Sequence, residues 1–217
     1  MPVNSNAAEP LIKRLPTRNE KSELIKQRAI KAALEAFALY GFEGAKMKDI
    51  ASNAGISLPL LVYHFSSKEN LWETALKQAA KRFDEQIKDL NASEQYSSLD
   101  KLRQLVVSLV EICADYPEFH RIMAMESYQL SKRLVFLQKQ CARHHHLSMI
   151  KIITDAQINN LNMSQIMAER LCFVMIGMAR MSSNAAGYEY LSGAHSKALS
   201  EKLNIISDIY QLLRIEY

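Results

Sequence analysis

Apolar positions recur at helical spacing from Lys21 onward. Ile25, Ala29, Ala32, Ala33, Ala36, Phe37 and Tyr40 form one stripe, while Lys26, Lys31 and Glu35 fall off it. The stripe predicts a first helix over about 20–40, stopped at Gly41, because a residue without Cβ reaches the left-handed cap conformation. Short helices are predicted over about 47–53 and 58–65, with Gly55 and Ser57 between them. Ser66 and Glu69 read as an S-x-x-E capping box that opens a fourth helix, running through Trp72, Leu76 and Phe83 to about Leu90. The polar residues 91–98 read as a joint between two parts. Beyond them the pattern predicts helices over about 99–115, 117–131, 133–158, 163–185 and 197–215, with Pro117 tolerated in a first turn. Neither strand-like alternation nor an internal repeat is present.

These elements predict an all-α chain of about nine helices. Residues 1–19, polar and carrying Pro2, Pro10 and Pro16, read as a flexible arm. Residues 20–70 read as a three-helix unit, and 71–217 as a larger helical domain. Composition agrees, since six Gly and five Pro are few for 217 residues and 48 % hydrophobic content is enough for a core. The net charge of +4 excludes a histone-like polycation. Its distribution is tilted: residues 1–71 hold ten Lys/Arg against seven acids, or +3, leaving about +1 for the rest. Within the arm, Lys13, Arg14 and Arg18 suit either phosphate contact or a solvated tail.

Cys113, Cys141 and Cys172 lie far apart in apolar helical contexts, which predicts reduced, buried thiols. MPVNSNAAEP has neither the basic start nor the apolar core of a secretory signal. The longest apolar stretch, Leu171–Ala179, is roughly half a bilayer span. A cytoplasmic protein without membrane contact is therefore expected. Consecutive helical residues point about 100° apart, so His144, His145 and His146 cannot converge on one ion. They are expected to be solvated, the alternative being a single His paired with an acid from elsewhere. No metal and no cofactor are expected. The chain lacks H-E-x-x-H, a Gly-rich phosphate loop and G-x-S-x-G, so no catalysis is expected.

The informative segment runs from Met47 to Phe65. Ile50 and Ala51 can pack against Ile56 and Leu61, small Ala51 and Ala54 allow a close crossing, and Gly55 permits the turn. That arrangement suits a helix-turn-helix whose second helix enters the major groove. Ser57 is placed as its N-cap, with Pro59 in the first turn. The tip Ser57, Leu58, Pro59 and Leu60 offers few hydrogen bonds to base edges, so apolar contact with thymine methyl groups and DNA shape are expected to carry recognition. Lys46, Met47 and Lys48 at helix two, Tyr63 and His64 at the end of helix three, and Lys68 in the first turn of helix four complete the candidate DNA-binding set. Read from spacing alone, the segment also suits an ordinary αα-hairpin, with Tyr63, His64 and Phe65 as packing residues.

The stretch from Ala29 to Trp72 resembles the DNA-binding region of the tetracycline-repressor (TetR) family. It does so through A-I-K-A-A-L-E-A-F-A-L-Y-G-F, then D-I-A-S-N-A-G-I-S, then Y-H-F-S-S-K-E-N-L. The resemblance covers about a fifth of the chain. It implies a three-helix DNA-binding domain ahead of a helical regulatory domain, a homodimer on palindromic double-stranded operator DNA, and repression relieved by a small-molecule effector. The family usually has a phosphate-contacting Tyr where Val62 stands, and Tyr63 is next to it. Many members also carry Lys, Arg, Gly or Thr where Leu58, Pro59 and Leu60 stand. Two other classes remain beside this one, a helical protein-interaction module and a helical enzyme without a motif.

In such an architecture the last two helices would form a dimer seam. Leu171, Val174, Met178 and Met181 line a face of one; Leu199, Leu203, Ile206, Tyr210 and Leu213 line a face of the other. The same side chains also suit an intramolecular core. Candidates for an effector pocket are Met123, Tyr128, Phe136, Met149 and Phe173, because Met and aromatic side chains line adaptable apolar cavities.

Overall fold

Thr17 and Glu20 open the first helix. The Thr17 hydroxyl accepts the Glu20 N–H at 3.2 Å and the Glu20 carboxylate accepts the Thr17 N–H at 2.6 Å. This reciprocal cap satisfies two otherwise orphaned donors. The computed structural model describes residues 17–156, 164–183 and 198–215, without the side chains of 182–183 and 198–201. Most of the expected arm, Lys13 and Arg14 included, lies outside the described residues. Arg18 does not belong to an arm, because the Thr17 cap makes it the first helical residue.

Helix α1 spans Arg18–Gly44 and bends at Gly41, whose φ of 68° lies in the left-handed region. The expected stop at Gly41 is thus a kink, after which helical bonding resumes for a few residues. Next come α2 (Met47–Asn53), α3 (Leu58–Phe65), α4 (Lys68–Ala92), α5 (Ser98–Asp115) and α6 (Pro117–Glu126). Helix α7 (Lys132–Leu137) continues through a π turn (Gln138–Ala142) into α8 (Arg143–Asp155). Helix α9 (Gln165–Ala179) tightens into a 3₁₀ turn (Arg180–Ser183), and α10 (Ala198–Leu213) closes the series. The described residues therefore form nine helical rods and no strand.

Two expected boundaries shift for identifiable reasons. The helix expected over 117–131 ends at Glu126, where the Ser127 hydroxyl donates to Ala124 O, and Ser131 caps α7 by accepting the Leu134 N–H at 3.0 Å. The cap of α4 is Ser67, not Ser66. Ser67 is extended and accepts the Asn70 N–H at 3.1 Å, whereas Ser66 takes a φ of 59° and ends α3 instead.

Burial divides along α4. Leu71, Trp72, Ala75, Leu76, Ala79 and Ala80 join the core of α1–α3, which also recruits Phe119, Ile122, Leu137 and Cys141. Phe83, Ile87 and Leu90 instead join a second core with α5, α8, α9 and α10. Packing thus changes sides between Ala80 and Phe83. Residues 91–98 are not a joint between two parts, because both helices that they connect contribute to the second core. Cys113, Cys141 and Cys172 are buried free thiols, and burial pushes each pKa up to about 12.

Candidate nucleic-acid interface

Ile50, Ala51, Ala54 and Leu61 are buried together, and half-buried Ile56 packs on the same core. The turn between α2 and α3 closes with Gly55 N–H donating to Ser52 O at 2.9 Å and Ile56 N–H to Ala51 O at 3.0 Å. Gly55 has a φ of 64°, which an L side chain rarely adopts. From α1, Arg28 reaches across this turn. Its Nε donates to Ala54 O at 2.8 Å, and its Nη2 donates to Gly55 O at 2.8 Å and also to Ala54 O. A helix end leaves carbonyls without intrahelical donors, and Arg28 supplies them here. The sequence reading missed Arg28, since nothing in its neighbourhood points to a carbonyl 26 residues onward.

Ser57 caps α3 by accepting the Leu60 N–H at 3.3 Å, and Pro59 occupies the first turn. With Leu61 and Phe65 anchored inside, the opposite face turns out. Leu58 is 38 % exposed, Val62 42 % and Tyr63 80 %, with Pro59 also exposed. Leu58 and Val62 are four residues apart and share that face. Val62 therefore belongs to the outward surface, although it was absent from the expected contacts. Leu60 and Met47 sit further in than expected, both half-buried, Met47 against the core of α1–α3. His64 is half-buried between the edges of Tyr63 and Phe65.

Lys46 and Lys48 stand exposed at the start of α2. Lys68 does not extend freely. Its Nζ donates to Glu43 O at 3.2 Å and lies 4.7 Å from the Phe42 ring centroid. One ammonium proton thus ties α4 to the end of α1, and an ammonium has three.

Behind this unit a cavity of about 300 Å³ opens among α4, α5, α6, the π turn, α8 and α9. Of the expected pocket residues, Met123 and Phe173 line it. The other three are elsewhere because each found a different neighbour or none. Tyr128 is 87 % exposed, Phe136 packs on Trp72 with centroids 5.6 Å apart, and Met149 is sealed in the second core. The three histidines also differ from the solvated set expected. Only His144 is exposed. His145 is buried with Nδ1 3.0 Å from Asp84 Oδ1, and half-buried His146 has Nδ1 3.5 Å from Cys172 Sγ. His120 also lines the cavity; burial chiefly, then Arg180 and His145, pull its pKa down to about 4. A second, more open cleft of about 490 Å³ between α1, α4 and the start of α6 mixes Lys31 and Arg82 with Glu35, Asp115 and Glu118. Among the described residues no cluster of His, Cys, Asp and Glu is placed to hold a metal ion.

The expected seam residues split in two. Val174, Met181 and Leu203 are exposed, Leu203 at 61 %, while Leu171, Met178 and Ile206 are half-buried. Tyr210 and Leu213 instead belong to the protomer's own core, because α10 lies against α5 and the Tyr210 hydroxyl donates to Arg103 O at 3.1 Å. Leu199 has its side chain outside the described residues.

Comparison with known proteins agrees with this geometry. The family model of bacterial regulatory proteins, tetR family, matches residues 29–75. The transcriptional regulator RutR of Escherichia coli strain K12 is 33 % identical over 102 residues, covering 46 % of this chain and 47 % of that protein. The transcriptional repressor NicS of Pseudomonas putida is 28 % identical over 116 residues, 51 % of each. The chain thus matches about half the length of these relatives. In fold, it is similar to a TetR-like transcriptional regulator from Rhodococcus sp. RHA1, with a TM-score of 0.62 at 17 % identity over 94 % of this chain and 100 % of that one. The helix-turn-helix of α2 and α3 lies within residues 29–75, the segment that matches the tetR family of bacterial regulatory proteins.

Proposed function

We propose that this protein is a cytoplasmic, homodimeric transcriptional regulator that represses from a palindromic operator and is released by a small-molecule effector. The observation that carries the reading is the outward face of α3, with Leu58, Pro59, Val62 and Tyr63 presented on a unit whose inner face is buried. Such a face can lie in a major groove, reading thymine methyl groups and shape, while Lys46 and Lys48 meet phosphate. The match of residues 29–75 to regulatory proteins supports a non-catalytic role. Two protomers would join through the exposed parts of α9 and α10, where Val174 and Leu203 leave apolar surface uncovered.

Helix α6 gives the effector a route to the DNA. It carries His120 and Met123 in the cavity wall, and Met125 and Glu126 at its other end. A Cβ at Gly41 would lie 3.3 Å from Met125 Cε, and Arg133 bridges Glu126 at 2.9 Å to Glu43 at 3.2 Å. A ligand that displaces α6 therefore pushes on the end of α1, and through Lys68 on α4. Release requires only that the ligand prefer the displaced state.

The test is binding to a duplex from the protein's own promoter at several salt concentrations. Affinity should fall steeply with salt. Lys46→Ala and Tyr63→Ala should weaken all sequences alike, and Leu58→Ala should change sequence preference. Three variants with one common preference profile would overturn the division of labour, and salt-independent binding would overturn the reading itself.

A further inference from the structure

Positive charge accumulates along one stretch of the chain. Between Glu126 and Asp155 stand Lys132, Arg133, Lys139, Arg143 and Lys151, and no acid. The fold sets these residues along one continuous rod, from α7 through the π turn into α8. Lys132, Lys139 and Arg143 are seven and four residues apart, so they share a face. All three are exposed, as is Lys151 two turns further on. At about 1.5 Å of rise per residue, the stripe from Lys132 to Lys151 is roughly 28 Å long.

The stripe starts where the DNA-facing unit ends. Arg133 Nη1 meets the Glu43 carboxylate at 3.2 Å, and Lys68 Nζ donates to the Glu43 carbonyl at 3.2 Å. Glu43 lies in the last turn of α1, three residues before Lys46, which caps α2. From there the rod runs beside α4. Phe136 packs on Trp72, Lys77 Nζ lies 5.1 Å from the Phe136 centroid, and His145 Nδ1 is 3.0 Å from Asp84 Oδ1. Helix α4 adds exposed Lys77 and Lys81 to this flank. Its acids there are half-buried Glu73, Asp84 with His145, and Glu85 paired with Lys81 at 3.5 Å. Glu126 is taken by Arg133 at 2.9 Å and Lys151 is paired with Asp155, so Lys132, Lys139 and Arg143 carry the stripe.

A basic stripe along a helix is the electrostatic footprint of a polyanion. An operator brings one to the foot of this stripe, because Lys46 and Lys48 stand exposed at the start of α2. Phosphate contacts carry no sequence information, so duplex on either side of an operator can make them. Bending a flank toward the protein costs elastic energy, which contacts with additional phosphates offset. We propose that α7 and α8 form a second DNA-binding surface, on which Lys132, Lys139 and Arg143 receive the phosphates of duplex flanking the operator. It rests on the reading of the chain as an operator-binding protein. An acidic protein segment would match the same charges; duplex is favoured because α3 holds it beside the start of the stripe.

The test uses the full chain and two duplexes from its own promoter, one trimmed to the footprint and one extended by about 20 base pairs on each side. For the wild type, log affinity should fall with log salt more steeply on the extended duplex, the slopes differing by at least about two. Replacing all three side chains, Lys132→Gln with Lys139→Gln and Arg143→Gln, should remove that difference. The same variant should bind the extended duplex at least about fivefold more weakly and the trimmed one within about twofold of wild type, with an unchanged urea midpoint. Fluorophores at the two ends of the extended duplex should draw together when the wild type binds and stay apart with the variant. Affinity, slope and end separation alike in wild type and variant would overturn the proposal. So would equal weakening on both duplexes, which would make the three side chains operator contacts. Oligoglutamate bound by the wild type and not by the variant, with duplex binding unaffected, would assign the stripe to an acidic protein segment instead. A wild type that binds neither duplex removes the regulator and the flank contact together; trimmed duplex bound without any flank effect removes the flank contact alone.

Discussion

The two halves of α4 lie in different kinds of core. Its first turns pack into a cluster drawn mainly from residues 29–80, neighbours along the chain. Its last turns pack into a cluster drawn from residues 83–215, assembled from five helices. The first kind of core is built by short-range pattern and carries a recognisable motif. The second is built by long-range contact and carries a cavity that no motif announces. They meet where Phe119, Ile122, Leu137 and Cys141 cross into the first cluster. A shared helix and a few crossing side chains join the two halves.

The strongest way to break this comparison is to remove the residue on the seam. Trp72 is buried in the first core, edge-on to Phe42 of α1 and 5.6 Å from Phe136 of α7. Trp72→Ala should cost about 3–5 kcal/mol in urea unfolding. Operator binding and cavity ligand binding should be lost together at one midpoint. A variant that loses only one of them would show that the halves fold separately.

Acidity probes the second half through His120. His120 has a folded pKa near 4 against an ordinary value of 6.5, because burial and the nearby Arg180 and His145 disfavour its cation. The unfolded chain therefore binds a proton that the folded one refuses between those values. Its contribution to stability is full above pH 6.5 and is lost as the pH falls toward 4. At about 1.36 kcal/mol per pKa unit the change reaches up to about 3 kcal/mol. Comparing urea midpoints at pH 7 and pH 5 should show a larger drop for the wild type than for His120→Gln. Equal drops would mean that His120 is not held neutral by the fold.

Arg28 sharpens the first half in the same way. Arg28→Ala strips the donors from Ala54 O and Gly55 O and should cost about 1–3 kcal/mol. Operator affinity should fall, while ligand binding in the cavity stays as it was. The reverse pattern, ligand binding impaired and operator binding intact, would contradict the division at α4.

Much of the first half was legible because its determinants are local. Gly55 is needed at a left-handed φ, Ser57 and Pro59 suit a helix start, and Leu61 and Phe65 recur at the spacing that buries one face of α3. Ser66 shows the limit of such reasoning. Two adjacent serines offer the same hydroxyl, and only the backbone reversal between α3 and α4 made the second one the cap. In the second half the periodicity located helices but not their neighbours. Tyr210 and Leu213 lie on an apolar stripe that would serve a partner or the protomer equally, and contact with α5 claimed them for the protomer.

By itself the order of residues determined an all-helical chain with a helix-turn-helix near its start, since helix periodicity and turn chemistry act over a few residues. The tertiary structure alone decided that Arg28 clamps that turn, that α4 serves two cores, and that His120, His145 and Arg180 face one cavity. Those outcomes depend on which helix faces lie together across tens to over a hundred residues, and periodicity fixes the existence of an apolar face without naming its partner.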